Sequence, residues 1–259
     1  MTDLVLTDIN NQILTVRINR PERKNALTHA MYTTLGDAIE QAETDADIRC
    51  ILFTGSEECF TAGNDLSDFA SGSGLKGAFT ETPVGRFLFL LANATKPVVV
   101  AVNGPAVGIG TTMLLHCDMV FAGTNSRFQM PFANLGLCPE GGSSLLLPSW
   151  IGRVRAAELL MLGEAFSADD AYRLGLINRV CDPADTETAA LEACQKLASQ
   201  PPAAIRATKT LLSGPTHKEL TDTMLAEGEL FVERLKSPEA AEAFGAFMQK
   251  RKPDFSNFK

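Results

Sequence analysis

Val98-Val99-Val100-Ala101-Val102-Asn103-Gly104-Pro105-Ala106-Val107-Gly108-Ile109-Gly110 is the stretch on which the fold turns. Its first five residues are apolar without alternation, which predicts a strand covered on both faces, as in a parallel sheet. The glycines that follow let the backbone come close to a neighbour or a ligand. From about Gly108 to Leu115 the pattern can begin a helix, whose first N–H groups lack intrahelical partners and point outward. Two such groups converging on one oxygen would form an oxyanion hole. Tight turns with packing glycines explain the same spacing, and spacing alone leaves both readings open. Dinucleotide binding fits worse, because Gly108-Ile109-Gly110 lacks the third glycine in register and a fitting acid downstream.

The pattern repeats upstream and downstream. Ile48 to Thr54 is a second buried-strand run, ending at Gly55, and Met119 to Ala122 is a third. Phe60-Thr61-Ala62-Gly63-Asn64-Asp65-Leu66 follows the 48–54 run as the glycine segment follows 98–102. Ahead of these, Leu4–Ile9 and Ile13–Ile18 alternate about Asn10-Asn11, a hairpin signal. Thr28 caps a predicted helix to about Thr44 with Met31, Leu35, Ile39 and Ala42 on one face. Strands separated by helical stretches define an α/β class. Ser67 to about Gly85, with Ser71-Gly72-Ser73-Gly74, is expected to be a mobile loop. Beyond about Arg153 the pattern is helical. A capping box at Ser167–Asp170 starts a short helix ending near Gly175, and Ile177–Val180 reads as a last strand. Helices are expected over 185–199, 202–213 and 216–236, and another after Ser237-Pro238 ending near Lys252-Pro253. No repeat of solenoid period is present.

At 259 residues and 45% apolar content the chain can bury a sizeable core without disulfides or metals. A net charge of −8 disfavours nucleic acid as a partner, while a small polyanion needs only a local basic cluster or a helix N-terminus. Six cysteines without a CxxC pair, and three histidines, argue against a zinc site; a reducing compartment is the simplest inference. Cys50 and Cys117, in or beside strand-like runs, read as buried small hydrophobes. Met1 to Gln12 carries no basic leader or apolar h-region, no stretch reaches the length of a membrane span, and the last residues are not a peroxisomal signal. The expectation is a cytoplasmic protein with no membrane partner.

Gly136-Leu137-Cys138-Pro139-Glu140-Gly141-Gly142 places one carboxylate between a proline and a glycine pair, inside the mostly apolar stretch from Phe128 to Leu147. Burial would raise its pKa and suit it to general base or acid work. A solvated loop glutamate, or a carboxylate capping the helix before Ser143, is the alternative. Cys138 has no histidine nearby in sequence to activate it as a nucleophile.

Taken in order, these pieces resemble the crotonase (enoyl-CoA hydratase/isomerase) superfamily over nearly the whole chain. The resemblance starts with Asn19-Arg20-Pro21 and Asn25-Ala26-Leu27 and continues through Phe60–Leu66, Lys96–Gly110 and Cys117-Asp118-Met119. It then runs through Phe128–Pro148 and reaches Phe247–Lys252. It implies a crotonase-like spiral of repeated ββα units with a helical C-terminal region. Residues 1–200 would form the core spiral and 201–259 a region serving oligomerisation and closure of the CoA site. It also implies a homotrimer or dimer of trimers, an acyl-CoA substrate, and no cofactor beyond the coenzyme A carried by that substrate.

The same resemblance implies that the backbone N–H groups of Asn64 and Ile109 form the oxyanion hole for a thioester enolate. Lys24 (with Arg23 beside it), Ala62, Asp65, Leu66, Phe132, Phe247 and Lys250 fall at CoA- or substrate-contacting positions. Phe87, Leu88 and Leu91 line an acyl tunnel or simply pack a helix. Hydratases of the superfamily carry two glutamates where this chain has Thr112 and Phe132. Glu140 matches the single base of the peroxisomal-type Δ3,Δ2-enoyl-CoA isomerases, which the variant Gly63-Asn64-Asp65-Leu66 and Pro139-Glu140-Gly141 also resemble. Isomerisation with Glu140 as sole base is therefore the leading expectation. A hydratase or related lyase is the rival within the superfamily, and a non-catalytic CoA-binding protein the rival of another class. Turnover of trans-2-enoyl-CoA separates the first, and CoA binding without turnover the second.

Overall fold

The computed structural model describes residues 3–65 and 78–258. Leu66, and the part of the expected loop up to Gly77, lie outside the described residues.

Strands β1 (Val5–Asn10) and β2 (Ile13–Ile18) form the hairpin. Its two-residue turn is Asn11-Gln12, one position later than the sequence reading, because Asn10 pairs with Ile13. Both turn residues have positive φ, 50° and 67°, as a turn matched to strand twist requires. Helix α1 (His29–Thr44) starts at Thr28, whose hydroxyl accepts from Met31 N. Strand β3 (Cys50–Thr54) follows, then α2 (Pro83–Ala92). The loop expected as far as Gly85 thus ends earlier: Phe79–Glu81 is a 3-10 turn, and Thr82 caps α2 by accepting from Gly85 N, with Pro83 preset in its first turn.

The chain continues through β4 (Val98–Val102), β5 (Pro105–Val107), α3 (Ile109–Thr112), β6 (Met119–Gly123) and β7 (Arg127–Gln129). Next come α4 (Ser143–Ile151), α5 (Arg153–Ala157), β8 (Phe166–Ser167), α6 (Ala168–Arg173) and β9 (Arg179–Cys181). The final helices are α7 (Thr186–Ala198), α8 (Pro202–Ser213), α9 (His217–Leu235) and α10 (Pro238–Met248). Helix α10 stops short of Lys252 because Lys250 turns left-handed at φ 53°.

Six strands form one sheet in the order β1-β2-β3-β4-β6-β9, parallel except for the β1–β2 hairpin. A second sheet, β5-β7-β8, is reached by turning out of β4 into β5 and out of β6 into β7. This stepping between layers is the spiral of ββα units. The unbroken apolar runs have a direct cause. One face of the large sheet meets α1 and α2 in the main core, where Phe87 lies 5.8 Å from Tyr32 and 6.3 Å from Phe53 between ring centroids. The other face carries Ile13, Leu52, Val99 and Phe121 against Ala190, Cys194 and Ala198 of α7. Fully burying an aromatic or aliphatic side chain contributes about 1.5–3 kcal/mol, so strands packed on both sides have no place for a charge. No described helix is long and apolar enough to cross a membrane.

Candidate active site

The two glycine-bearing segments run side by side. Thr61 and Ala106 form a parallel bridge, with Thr61 N donating to Pro105 O (3.0 Å) and Val107 N to Thr61 O (3.0 Å). The first segment is anchored from the Asn25 motif. The fully buried Asn25 amide donates to Cys59 O (2.8 Å) and Phe60 O (3.1 Å), and Thr61 Oγ1 donates to Asn25 O (2.7 Å). Gly63 has φ +87°, and a Cβ there would lie 2.7 Å from Val107 O, so a residue with a side chain would force the segments apart.

Asn64 and Ile109 each stand three positions beyond their bridge residue, Thr61 or Ala106. Neighbouring amides on the Asn64 strand are engaged: Leu27 N donates to Gly63 O and Asp65 N to Leu27 O, which leaves the Asn64 N–H outside the ladder. Ile109 opens α3, so its N–H has no intrahelical acceptor. Among the described residues neither N–H has a protein acceptor. Both residues border one cavity of about 300 Å³, which Ala62, Phe132, Phe231, Phe244 and Phe247 also line. Its wall is largely apolar, and that strengthens any hydrogen bond made inside it. Tyr32, buried in α1, donates its hydroxyl to Asn64 Oδ1 at 2.5 Å and holds that side chain to the core.

Glu140 is buried, 7% exposed. Its Oε1 accepts from the Thr112 hydroxyl at the end of α3, so the carboxylate and the Ile109 amide meet at opposite ends of that short helix. Glu140 does not border the cavity of the two amides. Its pKa is pushed up from 4.5 to about 7, first by burial and further by the Glu227 charge, against the lowering effect of the Thr112 hydrogen bond. The turn behind it needs glycine twice over, with Gly141 at φ 64° and Gly142 at φ 72°. His116 Nε2 lies 2.7 Å from Gly141 O. Burial lowers the His116 pKa to about 4, so near neutrality the ring is uncharged and donates to that carbonyl.

The other expected residues are less concentrated. Ala62 and Phe132 line the cavity, and Phe132 sits edge-on to Phe231 at 6.3 Å. Phe247 borders it from α10 and remains 63% exposed. Lys24 and Lys250 are exposed and border no part of it; the Lys24 carbonyl accepts from Ala62 N. The Asp65 carboxylate accepts from Arg20 at 2.6 Å, which ties it to the early motif. Phe87, Leu88 and Leu91 are fully buried core residues and border no part of this cavity. Among the described residues no group of three metal-ligating side chains stands together.

Three residues of this region were not singled out from sequence: Tyr32, His116 and Glu227. Glu227 had a visible signal, since it interrupts the buried stripe Met224, Gly228, Phe231 of α9. From there its Oε2 accepts from Gly142 N (2.5 Å) and its Oε1 from Ser144 N (2.9 Å).

Two parallel glycine-bearing segments thus bring the Asn64 and Ile109 amides, unpaired among the described residues, to one apolar cavity, with the desolvated Glu140 carboxylate at the far end of α3. The pattern described as enoyl-CoA hydratase/isomerase matches residues 8–258, and the chain belongs to that family, within the crotonase superfamily. The chain is 35% identical to 1,2-epoxyphenylacetyl-CoA isomerase of Escherichia coli K12, with 99% of each chain covered. It is 33% identical to 2,3-dehydroadipyl-CoA hydratase of the same organism, covering 98% of this chain and 99% of that protein. The crystal structure of an enoyl-CoA hydratase/isomerase from Pseudoalteromonas atlantica superposes with a TM-score of 0.92 at 40% identity, covering 98% of this chain and all of the other. Relatives named as isomerases and as hydratases thus stand at similar distance.

Proposed function

We propose that the protein is a Δ3,Δ2-enoyl-CoA isomerase in which Glu140 is the only proton carrier. The observation that carries this reading is the buried Glu140 carboxylate, its pKa raised to about 7 and its oxygen held by Thr112, while Thr112 and Phe132 stand where a hydratase of the superfamily holds its two glutamates. The Thr112 hydroxyl is committed to Glu140, and Phe132 packs on Phe231, so neither is set to activate a water.

In this mechanism the thioester oxygen of a 3-enoyl-CoA accepts from the Asn64 and Ile109 amides. Ionised Glu140 removes a proton from C2. The electron pair moves through the C3–C4 double bond into a dienolate, whose oxygen charge the two amides hold. Glu140, now neutral, returns the proton to C4 and leaves a 2-enoyl-CoA. Losing one oxyanion donor costs about 100- to 1,000-fold in rate. A base with its pKa near the working pH is both ionised enough to accept a proton and acidic enough to give it back. The coenzyme A is carried by the substrate, with Lys24, Asp65, Leu66, Phe247 and Lys250 assigned to its binding. Residues 201–259 close that site in a trimeric assembly.

The test compares two substrates. Isomerisation of a 3-enoyl-CoA is expected to exceed hydration of trans-2-enoyl-CoA, and Glu140→Gln is expected to lower it about 100- to 10,000-fold with KM little changed. Fast hydration of trans-2-enoyl-CoA overturns the reading in favour of a hydratase, and undiminished turnover by Glu140→Gln removes Glu140 from the mechanism.

A further inference from the structure

We propose that Glu227 is a positioning residue for Glu140: from α9 it fixes the turn that carries the base, and so links the C-terminal helices to proton transfer. The inference rests on the reading of Glu140 as base.

Gly142 is the N-cap of α4 and has no side chain with which to cap it. Glu227 supplies the cap from another helix, one oxygen to Gly142 N and the other to Ser144 N, an arrangement suited to an ionised carboxylate at the positive end of a helix. The same turn is held elsewhere by Ser143 Oγ donating to Glu140 O (2.6 Å) and by His116 against Gly141 O. Among the described residues, Glu227 is the charged side chain that hydrogen-bonds to it from the C-terminal region. It is 7% exposed, so this is an interior contact, and burying a carboxylate there is costly unless its oxygens are satisfied.

The groups facing the two carboxylates fix the electrostatic sign. Tyr32 approaches Glu140 from α1, Cys138 lies near both carboxylates from the segment before Glu140, His116 meets the Gly141 carbonyl from the turn after α3, and Arg234 of α9 lies near Cys138. Leu88 of α2 and Leu220 of α9 meet the turn with apolar atoms. Tyr32 and Cys138 are held neutral by burial, as is His116. Arg234 is occupied with Gly136 O (3.0 Å) and Glu239 (3.2 Å). Burial raises the Glu227 pKa as well, while the hydrogen bonds from Ser144 and Gly142 favour its ionised form; in that form its charge opposes ionisation of Glu140.

The experiment measures kcat and KM against pH on 3-hexenoyl-CoA for the full chain and for Glu227→Gln, Glu227→Asp and Glu140→Gln. Glu227→Gln is expected to lower kcat about 10- to 100-fold with KM changed less than about twofold, and to move the midpoint of the acidic limb to lower pH. Glu227→Asp keeps the charge but is too short for both amides, so kcat falls while the midpoint stays. A Glu227→Gln with unchanged kcat and midpoint overturns the proposal, as does a loss matched entirely by loss of folded protein with the midpoint unmoved. If Glu227→Gln does not fold, Glu227→Asp decides: reduced kcat in folded protein supports the role and full kcat ends it. Full turnover by Glu140→Gln would instead fell the base reading itself, which separates the two failures.

Discussion

The hydroxyl of Thr112 donates to the carboxylate of Glu140, and this bond joins that carboxylate to the helix that opens with the Ile109 amide. The hydrogen bond favours the ionised form of Glu140 against the burial that disfavours it.

Thr112→Val should therefore move the pH profile in a known direction. The hydroxyl stabilises the ionised form of Glu140, so its loss raises the Glu140 pKa above its present value of about 7. The acidic limb of kcat is expected to shift to higher pH, with the largest rate loss below neutrality. Stability is expected to fall by about 1.5–3 kcal/mol where Glu140 is ionised, since a buried hydrogen bond to a charge is lost. Steady-state rates across pH and denaturant unfolding check both parts.

Glu140 should also write its own pH dependence into stability. Its folded pKa of about 7 lies above the ordinary 4.5, so the folded state binds the extra proton between those values and stability declines as pH rises through that window. His116, with its pKa lowered to about 4, works in the opposite sense over an overlapping range, so the unmodified protein shows little net slope from this pair. Glu140→Gln removes only the first contribution. Its stability relative to the unmodified protein is expected to grow from pH 4.5 to 7, by on the order of 3 kcal/mol. Equal slopes in chemical denaturation of the two proteins would contradict this.

Gly63→Ala tests the contact between the two glycine segments. The added methyl meets the Val107 carbonyl at 2.7 Å with φ at +87°, so both strain and displacement follow. A cost of about 1–3 kcal/mol in stability is expected, with a rate loss of about 100-fold or more as the Asn64 amide is misplaced. Melting temperature and kcat report the two effects separately.

The fold was legible because burial on both sheet faces leaves its mark directly on β3, β4 and β6. The caps at Thr28, Ser167 and Ser237 are local hydrogen-bond chemistry and were equally readable. The hairpin turn was displaced by a residue because register depends on cross-strand pairing, which one strand's residues do not reveal. At the end of the expected loop, Phe79–Glu81 and Pro83 onward are helical instead, because Thr82-Pro83 is a helix start that the nearby glycines mask in the sequence. In the site, Glu140 stood out by isolation in an apolar stretch. Glu227, 87 positions away, touches the same turn through tertiary packing that no spacing rule encodes. Tyr32 was hidden because a tyrosine on a helix beside a core face reads as packing until its hydroxyl is seen on Asn64.

The cavity beside the two amides takes its walls from segments far apart in the chain, from Ala62 to Phe247. A nascent polypeptide emerging from the ribosome would hold both glycine segments well before Phe231, Phe244 and Phe247 have been translated. Removal of α10 would take Phe244 and Phe247 out of that wall and open the cavity on one side.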